Sequence, residues 1–259
     1  ISVGCAKWNK TDLKGFYPKG TKDELQYYAT QFNSIELNAT FYGMPSPDQV
    51  ITWKDKTGPD FKFFPKITNT VSHFRRLLNI TDVVTQFATS VMNFDEKLGM
   101  VFLQLHDNFK PKDYDRLEKF VKEWPQELPL AIELRNTEWF IDEEILDKTC
   151  DLFEKHNITN IIVDTAGRRD MLHMRLTTPN VFIRYVGANA ESDYQRLEDW
   201  LERLTEWKEL GMKNLYFFVH PTLAHASPLL SAHFIQKMND EWKTNLHIPQ
   251  MSVETPTLF

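Results

Sequence analysis

Cysteine is scarce in this chain. Cys5 and Cys150 are the two in 259 residues, far apart and in no CxxC pair. That gives no disulfide framework and no paired-thiolate metal motif, and it fits two reduced, buried thiols in a cytosolic protein. Cys5, on the first strand, stays a remote candidate nucleophile. Long apolar runs are missing too. None reaches the about 18 residues of a membrane span, and no basic stretch followed by an apolar core opens the chain. The expectation is therefore no membrane partner and a cytoplasmic location. A basic excess is also lacking: 30 Lys and Arg face 36 Asp and Glu, for a net charge of -6. This disfavours non-specific coating of nucleic acid, because few charges are spare to neutralise phosphates. The loops Arg75-Arg76 and Arg168-Arg169 keep a local basic patch in view. There is no GxGxxG or Walker loop, which disfavours a nucleotide cofactor.

What the chain does have is an ordinary globular composition, 42% hydrophobic and 25% charged, and length for one sizeable core. Short β-rich runs alternate with helical patterns. The strand candidates are Ser2–Ala6, Ser34–Ala39, Phe61–Ile67, Met100–Leu105, Leu130–Arg135, Asn160–Asp164, Val181–Val186 and Leu215–Val219. Helical spacing marks residues 22–31, 47–56, 81–97, 113–123, 142–156, 194–210 and 229–242. Eight such alternations predict an α/β chain folded as a single-domain (β/α)8 TIM-like barrel over residues 1–259, rather than a doubly wound sheet. The sixth unit is irregular. Between Asp164 and Val181 the stretch is short and polar, suited to a loop and a brief helix.

The segment Ala131-Ile132-Glu133-Leu134-Arg135-Asn136-Thr137-Glu138-Trp139 carries the strongest chemical signal. Side chains two apart on a strand share a face, so Glu133 and Arg135 face one way while Ile132 and Leu134 face the other. Ser34-Ile35-Glu36-Leu37-Asn38 repeats the pattern. Charges at the end of an apolar strand must be paired, hydrated or placed on a ligand.

The chain resembles the DUF72 (YecE-like) proteins, a (β/α)8-barrel family without an established activity. The resemblance rests on Val3-Gly4-Cys5-Ala6-Lys7-Trp8, Gly15-Phe16-Tyr17-Pro18, Asn33-Ser34-Ile35-Glu36-Leu37-Asn38-Ala39-Thr40-Phe41-Tyr42, Ser72-His73 with Arg76-Leu77, Leu103-Gln104-Leu105, and Glu133-Leu134-Arg135 with Trp139. Asp164 and Arg184 complete the series. Two places depart from the family pattern: Val186 stands where a histidine is usual after Arg184, and the last strand ends in His220-Pro221 rather than an Asn-rich segment. Both fall at strand ends, where specificity is set.

Barrel enzymes use the C-terminal mouth, which makes strand-end residues the site candidates. Glu133, Glu36, Asp164 and His73 are the catalytic candidates, with Glu133 the expected base. Lys66, Arg76, Arg135, Arg184, Asn38, Gln104, Trp139, Tyr42 and His220 are the substrate-binding candidates, and His106 is a further strand-end histidine. Arginine suits bidentate capture of a carboxylate or phosphate. The expected function is acid–base chemistry on a small polar or anionic metabolite, as a hydrolase, lyase or isomerase, with no cofactor. A non-catalytic carrier or sensor using the same mouth is the alternative, and a nucleic-acid-associated enzyme a third reading. The bland alternative for Glu133 and Arg135 is an internal ion-pair network that fills the barrel. A divalent metal on Glu36, Glu133, Asp164 and a histidine is the weaker option, since no HExxH, HxH or Cys cluster supports it. The sequence carries no sign of oligomeric state.

Overall fold

The computed structural model describes residues 1–252; residues 253–259, the end of the expected domain, lie outside the described residues. Eight parallel strands form one ring: β1 (Ser2–Cys5), β2 (Ser34–Leu37), β3 (Lys62–Pro65), β4 (Val101–Gln104), β5 (Leu130–Glu133), β6 (Thr159–Thr165), β7 (Asn180–Val186) and β8 (Asn214–Val219). Their hydrogen-bonded order is β3-β2-β1-β8-β7-β6-β5-β4. The ring closes between β3 and β4 through two isolated bridges, Phe63 with Leu98 and Lys66 with Phe102. There the Gly99 N–H donates to Phe63 O and the Ile67 N–H to Phe102 O, both at 2.8 Å. Gly99 is required at this closure: a Cβ there would lie 2.5 Å from the Phe64 ring.

The helices are α1 (Glu24–Gln31), α2 (Ala39–Tyr42), α3 (Pro47–Asp55), α4 (Thr81–Val91), α5 (Tyr114–Glu123), α6 (Glu138–Ile141), α7 (Glu143–Lys155), α8 (Ser192–Glu209) and α9 (Ser227–Trp242). Their starts follow the local chemistry. Asp23 accepts from the Gln26 N–H, Ser46 from Gln49 with Pro47 in the first turn, and Asp142 from Glu144 and Ile145, which satisfies donors a helix start leaves free. The expected helix over 81–97 is in fact α4 followed by a 3-10 segment, Met92–Lys97, broken at Asp95 with φ of 50°. The Asp95 carboxylate is tied to Lys54 Nζ at 2.7 Å. Two short helices went unread in the sequence. α2 and α6 follow β2 and β5 almost at once, so Asn38 and Arg135 lie just beyond their strands rather than in them.

The sixth unit has no crossover helix. A 3-10 turn, Arg169–Met171, is followed by extended chain. This chain is held on β6 by His173 Nε2 at 3.1 Å from Ile161 O, and by Thr177 Oγ1, which accepts from the Asn160 N–H at 3.0 Å and donates to Ile158 O, just before the strand, at 2.6 Å. Leu172, Met174 and Leu176 pack on the layer that contains Ile162, supplying the apolar cover a helix would give.

Strand alternation divides the core. Outward residues such as Ile35, Leu103, Ile132 and Ile183 pack under the helices. Inward residues Phe64, Phe102, Ala131, Ile161, Val163, Phe182 and Phe218 fill the barrel. Phe64, Phe182 and Phe218 meet with ring centroids 4.8 to 5.7 Å apart. Each ring buried so contributes about 1.5–3 kcal/mol, and together they make a dry floor beneath the C-terminal mouth.

Candidate site at the barrel mouth

One step above the aromatic floor, the inward parity of the strands delivers Glu36 from β2, Gln104 from β4, Glu133 from β5 and Arg184 from β7. Lys66 follows directly after β3. Glu36 and Glu133 are fully buried and Arg184 is 4% exposed. Arg184 grips Glu36 with two bonds, Nε to Oε2 and Nη2 to Oε1, both 2.8 Å, and its Nη1 donates to Glu133 Oε2. The other Glu133 oxygen accepts from Gln104 Nε2 (2.8 Å) and Arg135 Nη1 (3.2 Å). Gln104 Oε1 in turn accepts from Lys66 Nζ at 2.7 Å. Asn38 Nδ2 donates to Glu36 Oε1 at 2.7 Å. The layer is one continuous network.

The charges respond to that geometry. Burial alone would raise both carboxyls, but Arg184 brings Glu36 down to about 2 and, with Arg135, holds Glu133 below its ordinary value. Burial opposes the Arg184 charge, and the two carboxylates more than restore it. Lys66 behaves differently. Burial, then Arg184, pulls its ammonium down to about 8, against the pull of Glu133 and Glu36. Its Nζ lies 4.1 Å from the centre of the Phe41 ring.

Above this layer the rim is half-open. Burial opposes the Arg135 charge, while Glu133 and Asp107 sustain it; Arg135 Nε donates to Asp107 Oδ1 at 2.6 Å. Phe41 meets the His73 ring edge-on at 5.0 Å, and His73 meets His106 at 4.9 Å. Ser72 Oγ lies 2.8 Å from His73 Nδ1 and donates to Thr68 O at 3.4 Å. Assigned on that basis, Nδ1 carries the ring proton and Nε2 keeps a lone pair. Burial pushes His73 down to about 4, helped by His106 and Lys66, so the ring is neutral near pH 7. His220 continues the inward face of β8; burial lowers its pKa, against Glu36. A cavity of about 280 Å³ opens beside Glu36 and Asn38, walled by Trp8, Asn9, Asp12 and Tyr42. Hollows of about 320 and 370 Å³ on the outer surface, among helices and loops, include none of these mouth residues.

Glu36, Asn38, Lys66, Gln104, Glu133, Arg135 and Arg184 thus converge, with His73 at the rim and His220 on the inward face of β8. Four expected members do not join them. Asp164 shares the outward parity of Ile162: its Oδ2 accepts from Trp200 Nε1 at 2.8 Å and its Oδ1 lies 2.7 Å from Arg196, under α8. Trp139 is fully buried, its Nε1 donating to Phe109 O and its ring stacked on Phe109. It packs the wall instead of lining the opening. Arg76 donates to Asn108 O at 2.7 Å and ties two loops together. Tyr42 is 79% exposed and only edges the cavity. Glu133, the expected base, has its oxygens taken by Arg184, Arg135 and Gln104, and Arg184 holds its pKa below the ordinary value. Phe41 and Asp107 gain importance, the second signalled only by the polar turn His106-Asp107-Asn108 after β4.

Among the described residues, no three His, Cys, Asp or Glu side chains gather as a metal site, and no helix is long and apolar enough to cross a membrane. The basic loops are largely self-neutralised. Arg75 pairs with Asp82 at 2.8 Å and Arg168 with Asp170 at 3.0 Å.

The architecture is an α/β TIM-like barrel with a charged layer at its C-terminal mouth. Residues 2–253 match the family described as "Protein of unknown function DUF72", and the chain belongs to that family. It is 28% identical to the UPF0759 protein YecE of Escherichia coli K12, over 89% of this chain and 90% of that one. It is 23% identical to the UPF0759 protein YunF of Bacillus subtilis 168, over 81% and 84%. Among solved structures it superposes on a DUF72 family protein of Thermotoga maritima MSB8 (25% identity, TM-score 0.74, 92% of this chain and 98% of that one). A DUF72 family protein of Enterococcus faecalis V583 gives a TM-score of 0.75 at 19% identity, over 92% and 97%.

Proposed function

We propose that the chain is an enzyme that uses acid–base chemistry on a small polar, anionic metabolite at this mouth. The observation that carries the reading is the grouping of Lys66 with Arg135 and the neutral His73, in and just above a layer whose carboxylates are turned onto Arg184. Glu36 and Glu133 together offset Arg184 and one more cation; the remaining cation, on the rim, is held by the exposed Asp107, which an incoming anion would displace into solvent. A carboxylate or phosphate would find its counter-charge there. Proton transfer falls to His73 Nε2, a neutral acceptor near pH 7, and to Lys66 Nζ, which titrates at about 8. Glu36, Glu133 and Gln104 hold the cations in place. The reading includes a cytoplasmic location, supported by two free, buried thiols, and no cofactor.

The test is a thermal-shift panel of sugars, phosphosugars, organic acids, nucleotides, oligonucleotides and divalent metals, on wild type, Arg135→Ala and Lys66→Met. A ligand at about one hundred times its Kd stabilises by about 2.7 kcal/mol, a rise of roughly 5–10 °C for a chain of this size. Small anions should raise the wild-type melting temperature and fail to raise that of either variant. A shift unaltered in both variants would sink the assignment. A shift without any turnover would favour a carrier or sensor.

A further inference from the structure

Two lysines in this fold have almost fully buried side chains whose ammonium groups make no ion pair among the described residues, and they are treated very differently. Lys97 Nζ has three oxygen acceptors, Lys54 O, Thr57 O and Thr57 Oγ1, at 2.8 to 3.3 Å. Lys66 Nζ has a single hydrogen-bond acceptor, the neutral amide oxygen of Gln104, and a π face from Phe41. No carboxylate oxygen among the described residues lies within ion-pair distance of it, although Glu36 and Glu133 are in the same layer; both are turned onto Arg184. An ammonium needs up to three acceptors, and a buried one left short is costly. An ammonium so placed gives up its proton more readily than an exposed one, leaving an amine with two protons and a lone pair. His73 meets the same Phe41 ring edge-on at 5.0 Å, and Lys66 is near enough to both His73 and Arg135 for their charges to be felt.

We propose that Lys66 is a nucleophile that forms an imine with the carbonyl group of a small anionic aldehyde or ketone. The proposal rests on the anion-binding reading above and names its substrate class. The neutral Nζ donates its electron pair to the carbonyl carbon, a C–N bond forms, and the carbonyl oxygen takes a proton to give a carbinolamine. Loss of the nitrogen proton and of hydroxyl as water then yields the imine, protonated as the iminium. His73 accepts and returns the proton, and Arg135 seats the carboxylate or phosphate of the same molecule. A lysine desolvated beside other cations is the known way to make such an amine nucleophilic near neutral pH. An amine titrating at about 8 is about one-tenth neutral at pH 7, against less than about a thousandth for an ordinary lysine.

The experiment uses glyoxylate, an anionic aldehyde, with cyanoborohydride on the intact protein, and peptide mass mapping. Reduction of the imine leaves an adduct one oxygen lighter than the aldehyde. Lys66 should be labelled at least about ten-fold faster than the exposed lysines at neutral pH. Arg135→Ala should slow labelling by glyoxylate more than by neutral acetaldehyde, whose rate falls only as far as the Lys66 amine is protonated when the Arg135 charge is gone. Lys66→Arg should remove the fast site while keeping the charge. Labelling of Lys66 no faster than of exposed lysines in the wild-type protein overturns the proposal and needs no variant to read. If small anions still shift the melting temperature through Arg135 in that case, the anion site stands and the covalent step alone falls. If Lys66 is labelled fast by both aldehydes and Arg135→Ala changes both rates alike, the nucleophile stands and the anion seat falls.

Discussion

Replacing Arg184 by Met removes the hub of the charged layer. The cost can be worked from the structure. Glu36 moves from an ordinary 4.5 to about 2, which at about 1.4 kcal/mol per unit is about 3 kcal/mol of stabilisation. Breaking a buried pair by deleting one partner typically costs about 3–5 kcal/mol, because the remaining charge is left unpaired in a dry site. Here two carboxylates are left over an aromatic floor. The melting temperature should fall by roughly 10 °C or more, at about 2–4 °C per kcal/mol. The pH dependence fixes the mechanism. In the wild type the folded pKa of Glu36 is depressed, so its contribution is full above the unfolded value of about 4.5 and is lost as pH falls toward about 2. In the variant the largest opposition to burial is gone, leaving only the weaker pull of His220 and Lys66, so the folded pKa of Glu36 rises and that protein loses less stability as pH falls. Urea unfolding followed by tryptophan fluorescence should therefore show a gap that is widest near neutral pH and narrows toward about pH 3–4. Adding Glu36→Gln and Glu133→Gln should recover most of the loss. A loss below about 1 kcal/mol at neutral pH, or a gap independent of pH, refutes the reasoning.

Three further outcomes are expected. Gly99→Ala should cost about 1–3 kcal/mol by forcing a methyl group against the Phe64 ring, read as a lower urea midpoint; an unchanged midpoint contradicts the close approach. Asp164→Asn should cost about 1–3 kcal/mol through the lost charge against Arg196, while anion-induced thermal shifts at the mouth stay as in the wild type; their loss would return Asp164 to the site. Burial pushes the Cys5 thiol up to about 12, so a chromogenic disulfide reagent should leave it unmodified in the native protein and titrate both cysteines in urea.

The barrel was legible because its signals are local. Eight apolar runs with helical patterns between them leave few arrangements, and the short polar stretch after Asp164 already marked the unit without a helix. Strand parity put Glu133 and Arg135 on one face, with an ion pair as one alternative, although Arg135 lies two residues past the end of β5. Parity also separates Asp164 from Ile161 and Val163, but β6 is apolar on both faces, so nothing in its pattern said which face looks inward. Asn38 and Arg135 looked like strand residues because a short helix begins too soon after each strand to leave a periodic trace. Trp139 was misread for the same reason: α6 turns it back into the wall. The pairing of both carboxylates with Arg184, which leaves Lys66 without an ion pair among the described residues, was not legible at all. It depends on which of two carboxylates and three cations meet across the barrel, and contacts such as Arg184 to Glu36 join residues far apart in the chain.

The ring is fastened unevenly. Seven of its joints are ladders, while β3 and β4 meet through two bridges, one of them at Lys66 itself. That joint is where the cylinder should breathe first, and its amides should trade deuterium sooner than those of β6, β7 and β8, which share long registers. A molecule bound at Lys66 would sit as a keystone at the weakest point of the arch. Occupancy of the mouth would then be felt in the wall as a slower rhythm of opening, coupling what the protein holds to how tightly the barrel stays shut.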